Sequence, residues 1–352
     1  MGRSERNFGF GTRLNSAFSI QNLAKEATLR LGVGSSSCDK MKTALRDLGA
    51  FLESDYGCKD LASMSLDQYS AWAASLTDRV GDEEISSGHG GDLVSAINSV
   101  LRAFGMQSSD GGGLRIVQRK YGLSRGNRYT NEQTAMSRYD QKRIKEWMSG
   151  AYNRTGDIRY IAASHMIELA HITGMREREA SRAPLGERDY SSGLIQIKEG
   201  EGAKNDRPRE FYVRCANGIQ SAVAFVREHR HYFGRGTLIS TEHGAWKEHN
   251  NFFQRAMGEA RAYLGITATY HGIRHEFAQR IYACMWQART GVRIEPIKVE
   301  GQMSKNERWT SIAERTGLDT EAVREIEREI REDVSACLGH NRIDVTNVYL
   351  GA

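Results

Sequence analysis

Disulfide frameworks, zinc ribbons and membrane spans all need features that this sequence lacks. Its five cysteines (Cys38, Cys58, Cys215, Cys284 and Cys337) are odd in number, widely scattered and free of any C-x-x-C pair. That excludes a disulfide-framed or zinc-ribbon protein and points to reduced thiols in a cytoplasm. No apolar run approaches the ~18 residues that a membrane helix requires. The start, Met1-Gly2-Arg3-Ser4-Glu5-Arg6, has neither the apolar stretch of a signal peptide nor the Ser or Thr of a myristoylation site. The expectation is a cytoplasmic protein that makes no use of a membrane. No H-E-x-x-H occurs, and His229-x-His231 has no neighbours at ligand spacing, so neither a metal nor any other cofactor is expected. Proline is scarce, 3 residues against 36 glycines, a mix that suits helices joined by pliant turns. No repeat or low-complexity tract is visible.

What is present is mostly helical periodicity. A chain of 352 residues exceeds one ordinary core and implies two domains. Residues 1–15 carry Arg3, Arg6 and Arg13 and read as a basic arm. Over 16–106, apolar residues recur at helical spacing in four runs: Phe18 to Leu31, Met41 to Leu52, Tyr69 to Leu76 and Leu93 to Phe104. The third opens with Ser65-Leu66-Asp67-Gln68, a capping box. Together they predict a helical domain. From 107 to 131 the pattern dissolves into glycines followed by Arg115, Arg119, Lys120, Arg125 and Arg128. This reads as a basic linker, equally suited to a solvated connector or to a segment tracking a phosphate backbone. The net charge of +5 permits a polyanionic partner without demanding one.

A second domain over 132–352 contains a long helix ended by Thr173-Gly174 and a new one starting at Met175-Arg176. Alternation at Ile195, Ile197, Phe211 and Val213 predicts a β-hairpin. Further helices fall around Val223 to Val226, Phe252 to Leu264, from His271 onward, and from Asp319 or Thr320 to Val334.

The chemistry-bearing residues in this domain appear in a particular order. Arg176 sits at a helix start with Glu179 one turn on, able to brace it. Lys204 lies at the hairpin tip, with Lys198 on the same hairpin. His271 and Arg274 are three residues apart on one helix face. Leu338-Gly339-His340 precedes Tyr349 by nine residues. A phenol, with its pKa near ~10, is a weak nucleophile in water. Cations that stabilise charge on its electrophile, and a donor that protonates the leaving group, make it a useful one.

In this set the sequence resembles the tyrosine recombinases, the phage-integrase family. The resemblance runs from about Ile158 to Tyr349, and Val345-Thr346-Asn347-Val348-Tyr349-Leu350-Gly351 is similar to the ends of prophage and integrative-element integrases. It implies a mostly α fold: an N-terminal helical core-binding domain plus a mainly helical catalytic domain with a small antiparallel sheet. It also implies that Arg176, Lys204, His271, Arg274, His340 and Tyr349 are catalytic and that Glu179 supports them. The partners so implied are double-stranded attachment-site DNA, other copies of the chain in a tetrameric synapse, and accessory DNA-bending or directionality proteins. Two features depart from compact members of the family. The chain is longer between Arg274 and His340, with extra material over about 290–318, and little follows Tyr349. Trp309, Ile312 and Leu318 in the extra stretch could anchor it on a neighbouring protomer or on its own domain.

The residue types suit phosphodiester transfer on their own terms. Two guanidinium forks neutralise the non-bridging oxygens. Lys204 would protonate the departing 5′ oxygen while Tyr349 takes the 3′ phosphate, and His271 is either a further donor or the acceptor of the tyrosine's proton. The expected activity is DNA strand cutting and rejoining that integrates or excises a mobile element. The alternatives are a resolvase or topoisomerase-like strand transferase, and a DNA-binding regulator of the same fold without catalysis.

Overall fold

Helix ends in this chain are set by local chemistry that can be followed residue by residue. The computed structural model describes residues 13–14, 16–58, 60–106, 113–123, 134–187, 190, 194–198, 209–212, 217–233, 236–238, 245–300, 303–339 and 343–351. The chain divides into two units, Met1–Arg128 and Tyr129–Ala352.

The first unit holds α1 (Ala17–Leu31), α2 (Ser35–Tyr56), α3 (Leu66–Gly81) and α4 (Ser87–Phe104). At the start of α3, Ser65 Oγ accepts from the Gln68 N–H and the Gln68 side chain accepts from the Ser65 N–H. This reciprocal cap satisfies two otherwise orphaned donors. Leu45, Leu48, Trp72, Leu76, Ile97 and Val100 are fully buried between the helices. Trp72 stacks on Tyr69 and donates to Asp47 at 2.9 Å. Phe18 departs from the expected pattern: although its spacing matches the apolar run of α1, it is 75% exposed.

Residues 113–123 also differ from a free connector. Leu114, Ile116 and Leu123 are buried in the first unit's core. The Ile116 backbone both donates to and accepts from the Asn98 side chain, and Thr77 and Ser87 donate to the carbonyls of Tyr121 and Gly122. Alternation between buried Leu114 and Ile116 turns Arg115 outward, and a 3₁₀ turn over Gln118–Tyr121 exposes Arg119 and Lys120. The cations are therefore carried on a packed segment. Arg125 and Arg128 lie outside the described residues.

The second unit comprises α5 (Arg138–Thr155), α6 (Arg159–Thr173), α7 (Glu177–Arg182), β1 (Leu194–Ile197), β2 (Arg209–Tyr212), α8 (Asn217–Glu228), α9 (Arg230–Phe233), α10 (Ala245–Leu264), α11 (Tyr270–Thr290), α12 (Ile297–Glu300), α13 (Lys305–Thr316), α14 (Thr320–Cys337) and α15 (Ile343–Leu350). The two strands pair antiparallel, with Ile195 opposite Phe211. Helix α11 is the spine. It is buried on nearly every side from Tyr270 to Trp286, as a helix flanked all round must be. Its first turn joins the core built by α5, α6, α8 and α10, while Phe277, Tyr282 and Trp286 join a second core with α13, α14 and α15. Among the described residues, no helix is long and apolar enough to cross a membrane.

The extra stretch after α11 is built into this second core. Ile312 is buried, and Trp309 and Leu318 pack against the same cluster. Arg308 is buried too, donating to the Tyr282 hydroxyl at 3.1 Å, the Glu295 carbonyl at 2.7 Å and the Glu300 carboxylate. Trp309 Nε1 donates to Glu327 at 2.7 Å. Burial pushes the Glu327 carboxyl up, but Arg331 and Arg308 beside it outweigh that and hold it below the usual carboxylate range. Of the two placements open to these apolar anchors, a neighbouring protomer or their own domain, they take the second.

Candidate active site

Helix α11 brings the site together, because His271, Arg274 and His275 occupy its first turns where the two cores of the second unit meet. Arg274 is fully buried. A guanidinium out of water must be paired or it is strongly unfavourable. Three groups meet the need here. Nη1 donates to the carbonyl of Gly174, the cap residue that ends α6, and Nη2 donates to the carbonyl of Leu338, the cap residue that ends α14. Both helix ends present partial negative charge. The buried Glu179 carboxylate lies 3.9 Å from Nη1. Burial lowers the Arg274 pKa; Tyr349 and Glu179 favour the charged form, and Arg176 opposes it.

Gly174 is fixed by two constraints. Its φ is +64°, and a Cβ there would collide with the Phe277 ring, so glycine alone allows α6 to stop with its carbonyl against Arg274.

Arg176 follows two residues later. Its backbone N–H donates to Glu179 Oε2 at 2.8 Å and its Nη1 to Oε1 at 2.7 Å. One carboxylate therefore caps α7 and aims the side chain. Unlike Arg274, Arg176 keeps 21% of its side chain exposed and borders an open cleft of about 540 Å³, which is also lined by Arg178, Arg261, Tyr270 and His271.

Tyr349, on α15, is only 4% exposed. Arg274 Nε donates to its hydroxyl at 3.3 Å, and His271 Nε2 lies 3.2 Å from the same oxygen. Because a guanidinium can only donate, the phenol's own hydrogen is available to His271 Nε2. Gln279 Nε2 holds the Tyr349 carbonyl at 3.1 Å. Two other buried tyrosines stand near by with their hydroxyls engaged elsewhere. Tyr270 donates to the Met166 carbonyl and is raised well above the usual phenol range by burial. Tyr282, raised to about 12 by burial, bonds Glu327.

His275 is a residue that sequence reasoning passed over, although it directly follows Arg274 and lies four residues after His271 on one helix face. Its ring lies against Tyr349, centroids 4.4 Å apart. Burial, then repulsion from His271, Lys298 and Arg274, pushes its pKa down to about 3, so it is neutral near pH 7.

Arg176, Glu179, His271, Arg274 and Tyr349, spread over residues 176–349, thus form one contiguous group. Lys204 and His340 lie outside the described residues. Arg115, Arg119 and Lys120 belong to the first unit.

No protein-family model matches the sequence, and no curated protein matches it. Solved structures do. The XerH site-specific recombinase bound to palindromic difH substrate, a post-cleavage complex, matches at a TM-score of 0.57 and 14% identity, over 95% of this chain and 80% of that one. The XerH pre-cleavage complex with difH gives 0.53 and 14%, over 96% and 82%. The chain therefore has a tyrosine-recombinase-like fold.

Proposed function

We propose that this protein is a site-specific DNA recombinase of the tyrosine family, which cuts and rejoins strands through a 3′-phosphotyrosyl intermediate to integrate or excise a mobile element. The observation that carries the reading is the Tyr349 hydroxyl held between Arg274 Nε and His271 Nε2, beside a cleft bordered by Arg176. Tyr349 Oη attacks the phosphorus and its proton passes to His271 Nε2. Arg176 and Arg274, with His340, neutralise charge building on the non-bridging oxygens. The P–O5′ bond breaks and the 5′ oxygen takes a proton from Lys204. Attack by another 5′ hydroxyl reverses the steps on a new strand and conserves the bond energy. A regulator without catalysis would have no use for a nucleophile so placed. The helical first unit, with Arg115, Arg119, Lys120, Arg125 and Arg128, acts as the core-binding module on double-stranded DNA. Further copies of the chain and accessory DNA-bending proteins complete the assembly in the cytoplasm.

The test is a nicked suicide substrate carrying the element's own end sequence. The chain should form an SDS-resistant adduct through Tyr349, located by peptide mass spectrometry. An adduct at another residue, or none, would refute the mechanism.

Two further outcomes are expected on that substrate. Lys204→Ala should slow cleavage by roughly 10²-fold, as for loss of a general acid, and a 5′-phosphorothiolate, whose leaving group needs no proton, should restore it. If Lys198→Ala is the variant so rescued, the acid is Lys198. Neutralising Arg119, Lys120 and Arg125 together should reduce the log–log salt slope of binding by roughly 2–3, one phosphate contact each. The preferred site should stay unchanged, and a changed preference would mean that these residues read bases.

A further inference from the structure

The second unit's first described residues lie against the turn of α11 that carries the site. Met136 N–H donates to the Gly272 carbonyl at 2.9 Å, and Thr134 Oγ1 lies 3.1 Å from His275 Nδ1. The approach is close: a Cβ at Gly272 would stand 2.7 Å from the Thr134 carbonyl oxygen and 3.0 Å from the Met136 nitrogen. Glycine is a poor helix former, and its place in the first turn of α11 is explained by the chain that passes over it. His275 in turn lies tilted against the Tyr349 ring, while its own ring is 5.1 Å from that of His271.

From this contact chain we infer that Thr134 and His275 form a latch that sets the position of the Tyr349 ring. His275 is a positioning residue: its ring lies against the phenol and limits where that ring can lie. An imidazole held by ring contact alone can rotate about its Cβ–Cγ bond; a hydrogen bond at Nδ1 stops that rotation. Thr134 supplies the bond from a segment at the entry to the second unit, so the placement of that segment reaches the tyrosine through two side chains. Thr134 is exposed, and replacing it leaves the core intact.

The inference rests on the proposed role of Tyr349, and its test separates the two. In DNA-free protein, nitration of Tyr349 by tetranitromethane reports how firmly the ring is held, with buried Tyr282 as an internal control for unfolding. Thr134→Val, which keeps the shape and removes the hydroxyl, should raise Tyr349 nitration several-fold and leave Tyr282 protected, and Thr134→Ser should restore the original rate. His275→Phe keeps the ring and removes the bond, so it should match Thr134→Val, and the double variant should be no worse than either single one. On the suicide substrate Thr134→Val should slow adduct formation by about tenfold with DNA affinity unchanged, as expected when a reacting group is misplaced. Wild-type nitration of Tyr349 in Thr134→Val overturns the latch, whatever the cleavage rate. Failure of the wild-type chain to form an adduct overturns the recombinase reading, and nitration still decides the latch.

Discussion

Tyr349→Phe is expected to abolish the covalent protein–DNA adduct and to leave site-specific binding within a few fold. The substitution removes one oxygen and little else. Phenylalanine keeps the ring against His275, 4.4 Å between centroids, and Gln279 still reaches the backbone carbonyl of residue 349. Arg274 loses one acceptor at 3.3 Å but retains the carbonyls of Gly174 and Leu338, so its guanidinium stays in place. The loss in folding stability should be about 1 kcal/mol, the net value of a typical hydrogen bond, and the melting temperature should move by a few degrees at most. Chemistry, by contrast, should lose its nucleophile, because the neighbouring Tyr270 and Tyr282 hold their hydroxyls on Met166 and Glu327. Adduct yield from the variant on the suicide substrate, set beside binding by gel shift, measures both halves. An undiminished yield would move the nucleophile elsewhere in the chain.

Of the candidate site, five residues that the structure places together were legible in sequence as an order, while Lys204 and His340 lie outside the described residues. Arg176, Glu179, His271, Arg274 and Tyr349 are side chains and could be read; the carbonyls of Gly174 and Leu338 that hold Arg274 are backbone atoms, present at every position. The His-x-x-Arg spacing ends at Arg274 and carries no signal for His275, the next residue.

Periodicity worked where a helix has one apolar face, as in α2 and α4. It misled at Phe18, whose spacing fits the stripe of α1 but whose side chain points to solvent. It failed for α5, whose buried positions are Gln141, Ile144, Met148 and Ala151: a glutamine in the stripe, bonded to the Met136 carbonyl, hides the pattern. Helix α13 is similar, with Arg308 in a core position. Along 113–123 the charges drew attention away from Leu114 and Ile116, which pin the segment down. In α5 and α13 a polar side chain occupies the stripe and forms hydrogen bonds inside the fold, which a count of apolar residues does not register.

Arg274→Ala and Arg176→Ala should both slow cleavage by roughly 10²-fold or more, as for loss of a charge-stabilising donor, yet they should differ sharply in stability. Arg274 has no exposed surface, and its removal strands the Gly174 and Leu338 carbonyls and leaves Glu179 with one cation fewer. Breaking a buried pair from one side costs about 3–5 kcal/mol, and here the vacated volume also adjoins Tyr349. The links from the ends of α6 and α14 to α11 go with it, so the two cores of the second unit should loosen where they meet. Arg176 keeps 21% of its side chain in solvent. Its loss leaves Glu179 still capping the backbone N–H of residue 176, and the Glu179 carboxylate still faces Arg274. The stability change should therefore be about 1 kcal/mol or less, in the range of part-exposed ion pairs. Thermal melting of the two variants, read beside adduct formation, distinguishes a residue that both builds and serves the site from one that mainly serves it. Equal destabilisation by the two would mean that Arg274 is not the buried hub of the contacts described here.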